Sequence, residues 1–185
     1  MLSVREGTVM RIDMRSLLAG ETNKIVLDHT FSLTDGDYPF DTEIGGVTFT
    51  HPVHVRGEIV NMGGYIRLSA EASVKYDTEC ARCLTELHRE LSVSLERTVV
   101  NQGSLENTPE EEADDYLEII DGELDIETPA AEELMMEFPT RELCSEDCKG
   151  LCPKCGKNLN EGECGCVTKE IDPRLAILQK LLEKE

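Results

Sequence analysis

Up to Val100 the apolar and polar positions of the chain alternate. Ile25, Leu27, His29, Phe31 and Leu33 share one face of a predicted strand, and Val47, Phe49, Val53, Val55 and Ile59 continue the period of two. A turn follows at Asn61-Met62-Gly63-Gly64. Ile66, Leu68, Ala70, Ala72, Val74 and Tyr76 mark the next strand, and beyond Cys80-Ala81-Arg82-Cys83 the positions Leu87, Leu91, Val93, Leu95 and Val99 mark another. The pair Cys80 and Cys83 therefore caps a long hairpin. Three consecutive antiparallel strands are expected at the heart of an α+β fold. Their shared apolar side has to be buried, either by closing the strands into a barrel-like form or by covering a meander.

After Val100 the alternation collapses into Asn101-Gln102-Gly103-Ser104-Leu105-Glu106, followed by the acidic run from Glu110 to Asp115, which reads as a loosely held linker. Tyr116, Leu117, Ile119 and Ile120 predict a short strand. Thr128-Pro129 supplies a helix cap and first residue, and the helix from Ala130 presents Ala131, Leu134, Met135 and Phe138 before Pro139 stops it. Met135 and Met136 at this spacing read as core filler rather than ligands. A last helix is predicted from Asp172-Pro173, with Leu175, Leu178, Leu181 and Leu182 as its apolar face. The organisation expected is a β-rich core over 1–100, an acidic linker or loop over 101–127, and a segment 128–185 that packs helix, cysteine-rich tail and C-terminal helix on that core as one domain.

Hydrophobic residues make up 39% of the chain but aromatics only 4%, with no Trp, so the core rests on Val, Ile, Leu and Met. Bound metal would supplement a hydrophobic core of this kind. Lys and Arg total 18 against 38 Asp and Glu, a formal net charge of -20. Between Thr98 and Thr140 lie fourteen acidic side chains and no Lys or Arg. That balance is the reverse of a nucleic-acid binder's. Arg82, Arg89, Arg97 and Lys75 near the hairpin are the candidates for a small basic patch, and scattered solvated charges are the simpler reading. No apolar signal core follows Met1-Leu2-Ser3-Val4-Arg5-Glu6-Gly7, and no window approaches the ~20 apolar residues of a membrane span. A cytoplasmic protein without a membrane role is expected.

Candidate chemistry sits in the cysteines. Cys80 and Cys83 form one Cys-x-x-Cys pair, and Cys144, Cys148, Cys152, Cys155, Cys164 and Cys166 follow in the tail. Two residues between cysteines let a tight turn aim both sulfurs at one ion, and four thiolates close a tetrahedron around zinc. Disulfides are the competing use of an even cysteine count, and the expected reducing compartment argues against them. A redox pair would open a helix after a strand, whereas these pairs sit in turns containing Gly and Lys. Eight thiols suffice for two structural zinc ions. Cys152-Pro153-Lys154-Cys155-Gly156 is a zinc knuckle that Cys164-Gly165-Cys166 can complete, leaving Cys144 and Cys148 to join Cys80 and Cys83. The rival arrangement joins Cys80 and Cys83 to Cys152 and Cys155, and the spacing leaves both open. Each four-thiolate zinc would add a formal -2, which Arg82, Lys149, Lys154 and Lys157 beside the cysteines can offset.

Other candidates are thinner. Asp35, Asp37, Asp41 and Glu43 form a loose carboxylate cluster, yet Asp-Gly-Asp is also turn chemistry, and no base, nucleophile or phosphate loop accompanies it. An RNA-processing enzyme is therefore the weaker alternative, and no catalytic residue is expected. A zinc-ribbon nucleic-acid module is another, for which only Lys149, Lys154 and Lys157 decorate the knuckles. His51 and His54 would face opposite sides of a regular strand, and His29 and His88 read as ordinary strand or surface residues.

The motifs also carry a resemblance. Cys80-Ala81-Arg82-Cys83-Leu84, the acidic stretch, Leu134-Met135-Met136-Glu137-Phe138-Pro139, Gly150-Leu151-Cys152-Pro153-Lys154-Cys155-Gly156-Lys157-Asn158-Leu159-Asn160, Cys164-Gly165-Cys166 and Asp172-Pro173-Arg174-Leu175-Ala176 resemble the YceD family, from about Gly57 onward. The resemblance implies a role in accumulation of large-subunit ribosomal RNA in bacteria, through its synthesis, processing or stability. Family members lacking the later cluster keep the earlier pair with ligand-like residues near positions 144 and 148, which favours the first pairing. The resemblance supplies neither a mechanism nor catalytic residues. A chain at -20 is repelled by phosphate backbones. The expected partner is therefore a basic ribosomal protein or ribosome-assembly factor rather than bare ribosomal RNA, recruited by the acidic segment.

Overall fold

A computed structural model of the chain describes residues 11–33, 47–105, 109 and 113–166. The C-terminal helix predicted from Asp172 and the carboxylates Asp35, Asp37, Asp41 and Glu43 lie outside the described residues. By internal contacts the chain divides into two compact units, Met1–Thr78 with Glu86–Thr140, and Glu79–Thr85 with Arg141–Glu185.

The first unit is mostly β-sheet. Its strands are β1 (Arg11–Asp13), β2 (Lys24–Phe31), β3 (Thr48–Phe49), β4 (Val53–Met62), β5 (Tyr65–Glu79), β6 (Glu86–Asn101), β7 (Tyr116–Ile119) and β8 (Glu123–Asp125). Two described helices accompany them, α1 (Arg15–Leu18) and α2 (Glu127–Met136). The large sheet runs β2-β4-β5-β6-β7, with β3 paired to β5, and β1 pairs with β8 in a separate ribbon. Among the described residues the large sheet stays open and does not close into a barrel, so its apolar side is covered instead. Leu27, Val53, Val55, Ile59, Leu68, Ala72, Leu95 and Val99 pack in one buried cluster with Met14, Leu17, Leu124, Ile126, Ala130, Ala131 and Leu134. The 15-residue β5 alternates buried and open positions along most of its length.

The apolar run expected from Val47 to Ile59 is two strands. Thr48 and Phe49 pair with Asp77 and Tyr76, while β4 pairs from His54↔Ser73 to Met62↔Tyr65. Pro52 between them has no N–H for a continuous ladder. Phe49, Tyr76 and Phe138 then meet, with Phe138 4.9 Å from Tyr76 and 6.0 Å from Phe49 by ring centroid.

The short strand expected at Tyr116, Leu117, Ile119 and Ile120 is β7, and it joins the sheet parallel to β6 in the register Thr98↔Tyr116 to Asn101↔Ile119. A parallel neighbour requires a crossover of roughly a dozen residues or more. Residues 102–115, read from the sequence as a linker, supply that connection. The Asp121-Gly122 turn then reverses the chain, both residues having positive φ (55° and 82°), with Ile120 and Glu123 exchanging backbone hydrogen bonds of 2.9 Å. Met14 N–H donates to the Gly122 carbonyl at 2.9 Å, tying α1 to this turn.

Helix α2 begins earlier than Ala130 because Asp125 caps it. Its carboxylate accepts from the Glu127 and Thr128 N–H groups at 2.9 and 3.2 Å and from the Thr128 hydroxyl at 2.7 Å. Asp125→Ala is expected to cost about 1 kcal/mol of unfolding free energy in a denaturant titration, with an unchanged denaturant slope. Inside the helix Glu127 is 5% exposed and meets His29 Nε2 of β2 at 2.6 Å. His29, read as an ordinary strand or surface residue, is thus half of a sequestered pair. Arg97, at an inward-phase position of β6, bonds Glu133 of α2 at 2.6 Å.

Candidate metal centres

The second unit gathers all eight cysteines. Two Cys-x-x-Cys turns are built alike. In the first, Cys80 N–H donates to the Thr85 carbonyl and Leu84 N–H to the Cys80 carbonyl, each at 2.9 Å. In the other, Cys152 N–H donates to the Lys157 carbonyl at 2.9 Å and Gly156 N–H to the Cys152 carbonyl at 2.8 Å. The residue after the second cysteine is left-handed in both, Leu84 at φ 58° and Gly156 at φ 73°. Glycine takes that conformation without steric cost, whereas a leucine there needs support from the turn around it.

Around each turn two further cysteines converge. Cys80, Cys83, Cys144 and Cys148 form one tetrad and Cys152, Cys155, Cys164 and Cys166 the other, with all sulfurs of a tetrad within 4.8 Å of one another. The rival pairing of Cys80 and Cys83 with Cys152 and Cys155 is not the one formed. None of the eight is bridged. Cys80 and Cys148 sulfurs are 3.7 Å apart and Cys83 and Cys144 sulfurs 3.6 Å apart. A tetrahedron with metal–sulfur bonds of about 2.3 Å has edges of about 3.8 Å, so the donor set fits a metal ion of that size. Among the described residues no other group of three or more His, Cys, Asp or Glu side chains is so gathered.

The surroundings favour thiolate. Burial pushes the Cys80 thiol up, but hydrogen bonds from the backbone of Arg82, Cys144 and Cys83 outweigh it and bring the thiol down to about 6. Backbone hydrogen bonds from Cys155 and Lys154 bring Cys152 down to about 6 against burial. The Asn160 amide lowers Cys148. The last thiols resist, because a sulfur among thiolates is more stable as a donor. Bonding to Cys148 and Cys83 pushes Cys144 up to about 12, and bonding to Cys155 and Cys164 pushes Cys166 up to about 12. A divalent cation at the centre of each tetrad would hold all four as thiolates.

Arg82, inside the first turn, donates to the carbonyls of Cys148 and Glu146 at 2.9 and 3.3 Å, so its guanidinium fastens the loop bearing Cys144 and Cys148. Gly150 packs so close to Arg82 that a side chain there would meet the Arg82 carbonyl oxygen at 3.0 Å. Arg82 and Arg97, both candidates for the basic patch, are thus engaged in bonds within the fold. Lys75 lines a hollow of about 320 Å³ with His51, His54 and Arg56, where His54 and Arg56 both face Asp28. His51 and His54 thus share one hollow, contrary to a regular strand's alternation, because His51 precedes β4. His88 is held above its usual range by the hydrogen bond its Nδ1–H donates to the Asp77 carboxylate at 2.6 Å. Neither described helix is long and apolar enough to cross a membrane.

The sequence model of the family described as "Large ribosomal RNA subunit accumulation protein YceD" matches residues 68–182. An uncharacterized protein of Mycobacterium tuberculosis is 36% identical over 107 residues, 58% of this chain and 51% of that protein. The uncharacterized protein YlbN of Bacillus subtilis is 27% identical over 72% of this chain and 76% of its own length. The chloroplastic large ribosomal RNA subunit accumulation protein YCED homolog 1 of Arabidopsis thaliana is 36% identical over 34% of this chain and 19% of that protein. The chain thus spans about half the length of the mycobacterial relative. No solved structure matches it. Since the matched stretch runs from within β5 through both cysteine tetrads, this chain belongs to the family of the large ribosomal RNA subunit accumulation protein YceD.

Proposed function

We propose that this protein is a non-enzymatic, cytoplasmic factor that promotes accumulation of large-subunit ribosomal RNA by engaging a basic protein, either a ribosomal protein or an assembly factor. The observation that carries the reading is the charge balance, -20 overall, with a segment from Val99 to Pro139 that has no Lys or Arg. Within it Asp114, Asp115, Asp121, Glu132 and Glu137 are exposed. Such a surface attracts cationic proteins over about 8–10 Å at physiological salt and repels a phosphate backbone.

The tetrads act in this reading as structural zinc sites. All-thiolate donor sets suit zinc, and four protein ligands leave no coordination position for a substrate or water. Zinc then supplies folding energy to a cysteine-rich unit rather than chemistry.

Replacing Glu110, Glu111, Glu112, Asp114 and Asp115 with their amides is expected to weaken binding of basic large-subunit ribosomal proteins about tenfold or more at low salt and to flatten its salt dependence. The measurement is affinity across an ionic-strength series, with a bare ribosomal RNA fragment in parallel. Unchanged protein affinity and slope, or tighter binding to the RNA, would remove the basis for this assignment.

A further inference from the structure

The loop that closes the second tetrad also touches the first. Asn160 lies between Cys155 and Cys164, and its Nδ2 donates to Cys148 Sγ of the other tetrad at 3.3 Å. Its Oδ1 accepts from Lys149 N–H at 2.8 Å. Since a backbone N–H can only donate, this second bond fixes the orientation of the amide and leaves the NH₂ facing the sulfur. The same loop is latched again on the other side of Cys148. Leu159 N–H donates to the Gly150 carbonyl at 2.9 Å, and Leu151 and Asn158 form an isolated bridge. Asn158 Oδ1 accepts from both the N–H and the Nδ2 of Asn160, at 3.0 and 2.9 Å, so the amide is held from behind.

We infer that Asn160 is a positioning residue through which the second tetrad controls metal retention by the first. This rests on the reading of both tetrads as metal sites. A metal held by Cys152, Cys155, Cys164 and Cys166 orders the loop 156–163, and the ordered loop aims an N–H donor at a ligand sulfur of the first site. Donors to ligand atoms typically change metal affinity 10–100-fold. The coupling is reciprocal, since both metals bias one loop conformation. Loss of metal from the second tetrad would therefore loosen metal at the first, making the cysteine-rich unit load and empty as a pair.

The test uses the full chain in three forms, intact, with only the first tetrad (Cys155→Ser, Cys164→Ser) and with only the second (Cys83→Ser, Cys144→Ser), each with and without Asn160→Asp. Aspartate keeps the acceptor for Lys149 and removes the donor to Cys148. The probe is cadmium, each tetrad's resonance being assigned from the single-tetrad chains and followed during chelator titration. The first tetrad is expected to hold cadmium 10–100-fold more tightly in the intact chain than alone, and Asn160→Asp is expected to abolish that advantage. Asn160→Asp should leave the second tetrad, tested alone, within about threefold. Equal affinity of the first tetrad in the intact and first-tetrad-only chains overturns the coupling, as does an equal loss in both on Asn160→Asp. If no form binds metal, the metal reading itself falls and the coupling with it.

Discussion

Cys83→Ser and Cys155→Ser are each expected to remove one of two bound zinc ions and to unfold the surroundings of the tetrad they disrupt. Among the described residues of the Glu79–Thr85 and Arg141–Glu185 unit, the buried apolar side chains are the ligand candidates Cys80, Cys83, Cys148 and Cys152 themselves. Structural zinc in small cysteine-rich domains contributes about 10–16 kcal/mol of apparent binding free energy, most of which appears as folding energy. Removing one thiolate forfeits a large part of that for the site concerned. Metal analysis reads the stoichiometry, and hydrogen exchange reads the structure. The amides of Cys80 and Leu84 should lose protection in Cys83→Ser, and those of Cys152 and Gly156 in Cys155→Ser, since these N–H groups close the two turns. The first unit carries its own buried cluster from Met14 to Leu134 and should stay protected in both variants. With Cys144 and Cys166 both pushed up to about 12, loading must displace protons, so zinc affinity should rise with pH across the neutral range. Chelator-free protein with no metal and bridged thiols would contradict this account.

Gly57→Val is expected to destabilise the first unit by about 3 kcal/mol or more, the top of the range for overpacking, because the obstruction is backbone. Gly57 stands at an inward position of β4 between Leu27 of β2 and Ala70 of β5. A Cβ there would lie 2.2 Å from the Ser69 carbonyl oxygen, 2.4 Å from Ala70 Cα and 2.6 Å from Ala70 Cβ. No rotamer relieves contacts made by the Cβ itself. The strands must separate, at the cost of ladder bonds between β4 and β5. Gly63→Ala offers the contrast, since nothing lies within 4 Å of a Cβ there and only its φ of 71° opposes a side chain. Its cost should be about 1–2 kcal/mol. Equal losses for the two variants in denaturant titrations would mean that the close approach at Gly57 is unimportant.

Both expectations depend on positions whose meaning differs between sequence and structure. The alternation at Ile66, Leu68, Ala70, Ala72, Val74 and Tyr76 was legible directly, since a period of two leaves only one face to bury, and all six are buried. The cysteine spacing likewise announced two four-thiol groups, because a Cys-x-x-Cys turn points both sulfurs the same way whatever surrounds it. Helix α2 was legible in its apolar positions but not in its start, since Asp125 caps it from beyond the Thr128-Pro129 signal. His29 and Glu127 carry no sequence signal of their pairing. They are 98 positions apart, and only the packing of α2 against β2 brings them to 2.6 Å.

What the sequence determined by itself is therefore local and periodic: the long strands β4, β5 and β6, the tight cysteine turns, the acidic excess and the membership signalled by motif order. Tertiary structure decided which cysteines share a tetrad, that β7 runs parallel through the 102–115 crossover, and that Asn160 reaches Cys148. The reason is physical. Periodicity and turn chemistry are set by neighbours along the chain, within a few residues. Pairings between distant segments depend on which loop closures the whole set of contacts can sustain, and short-range pattern does not contain that information.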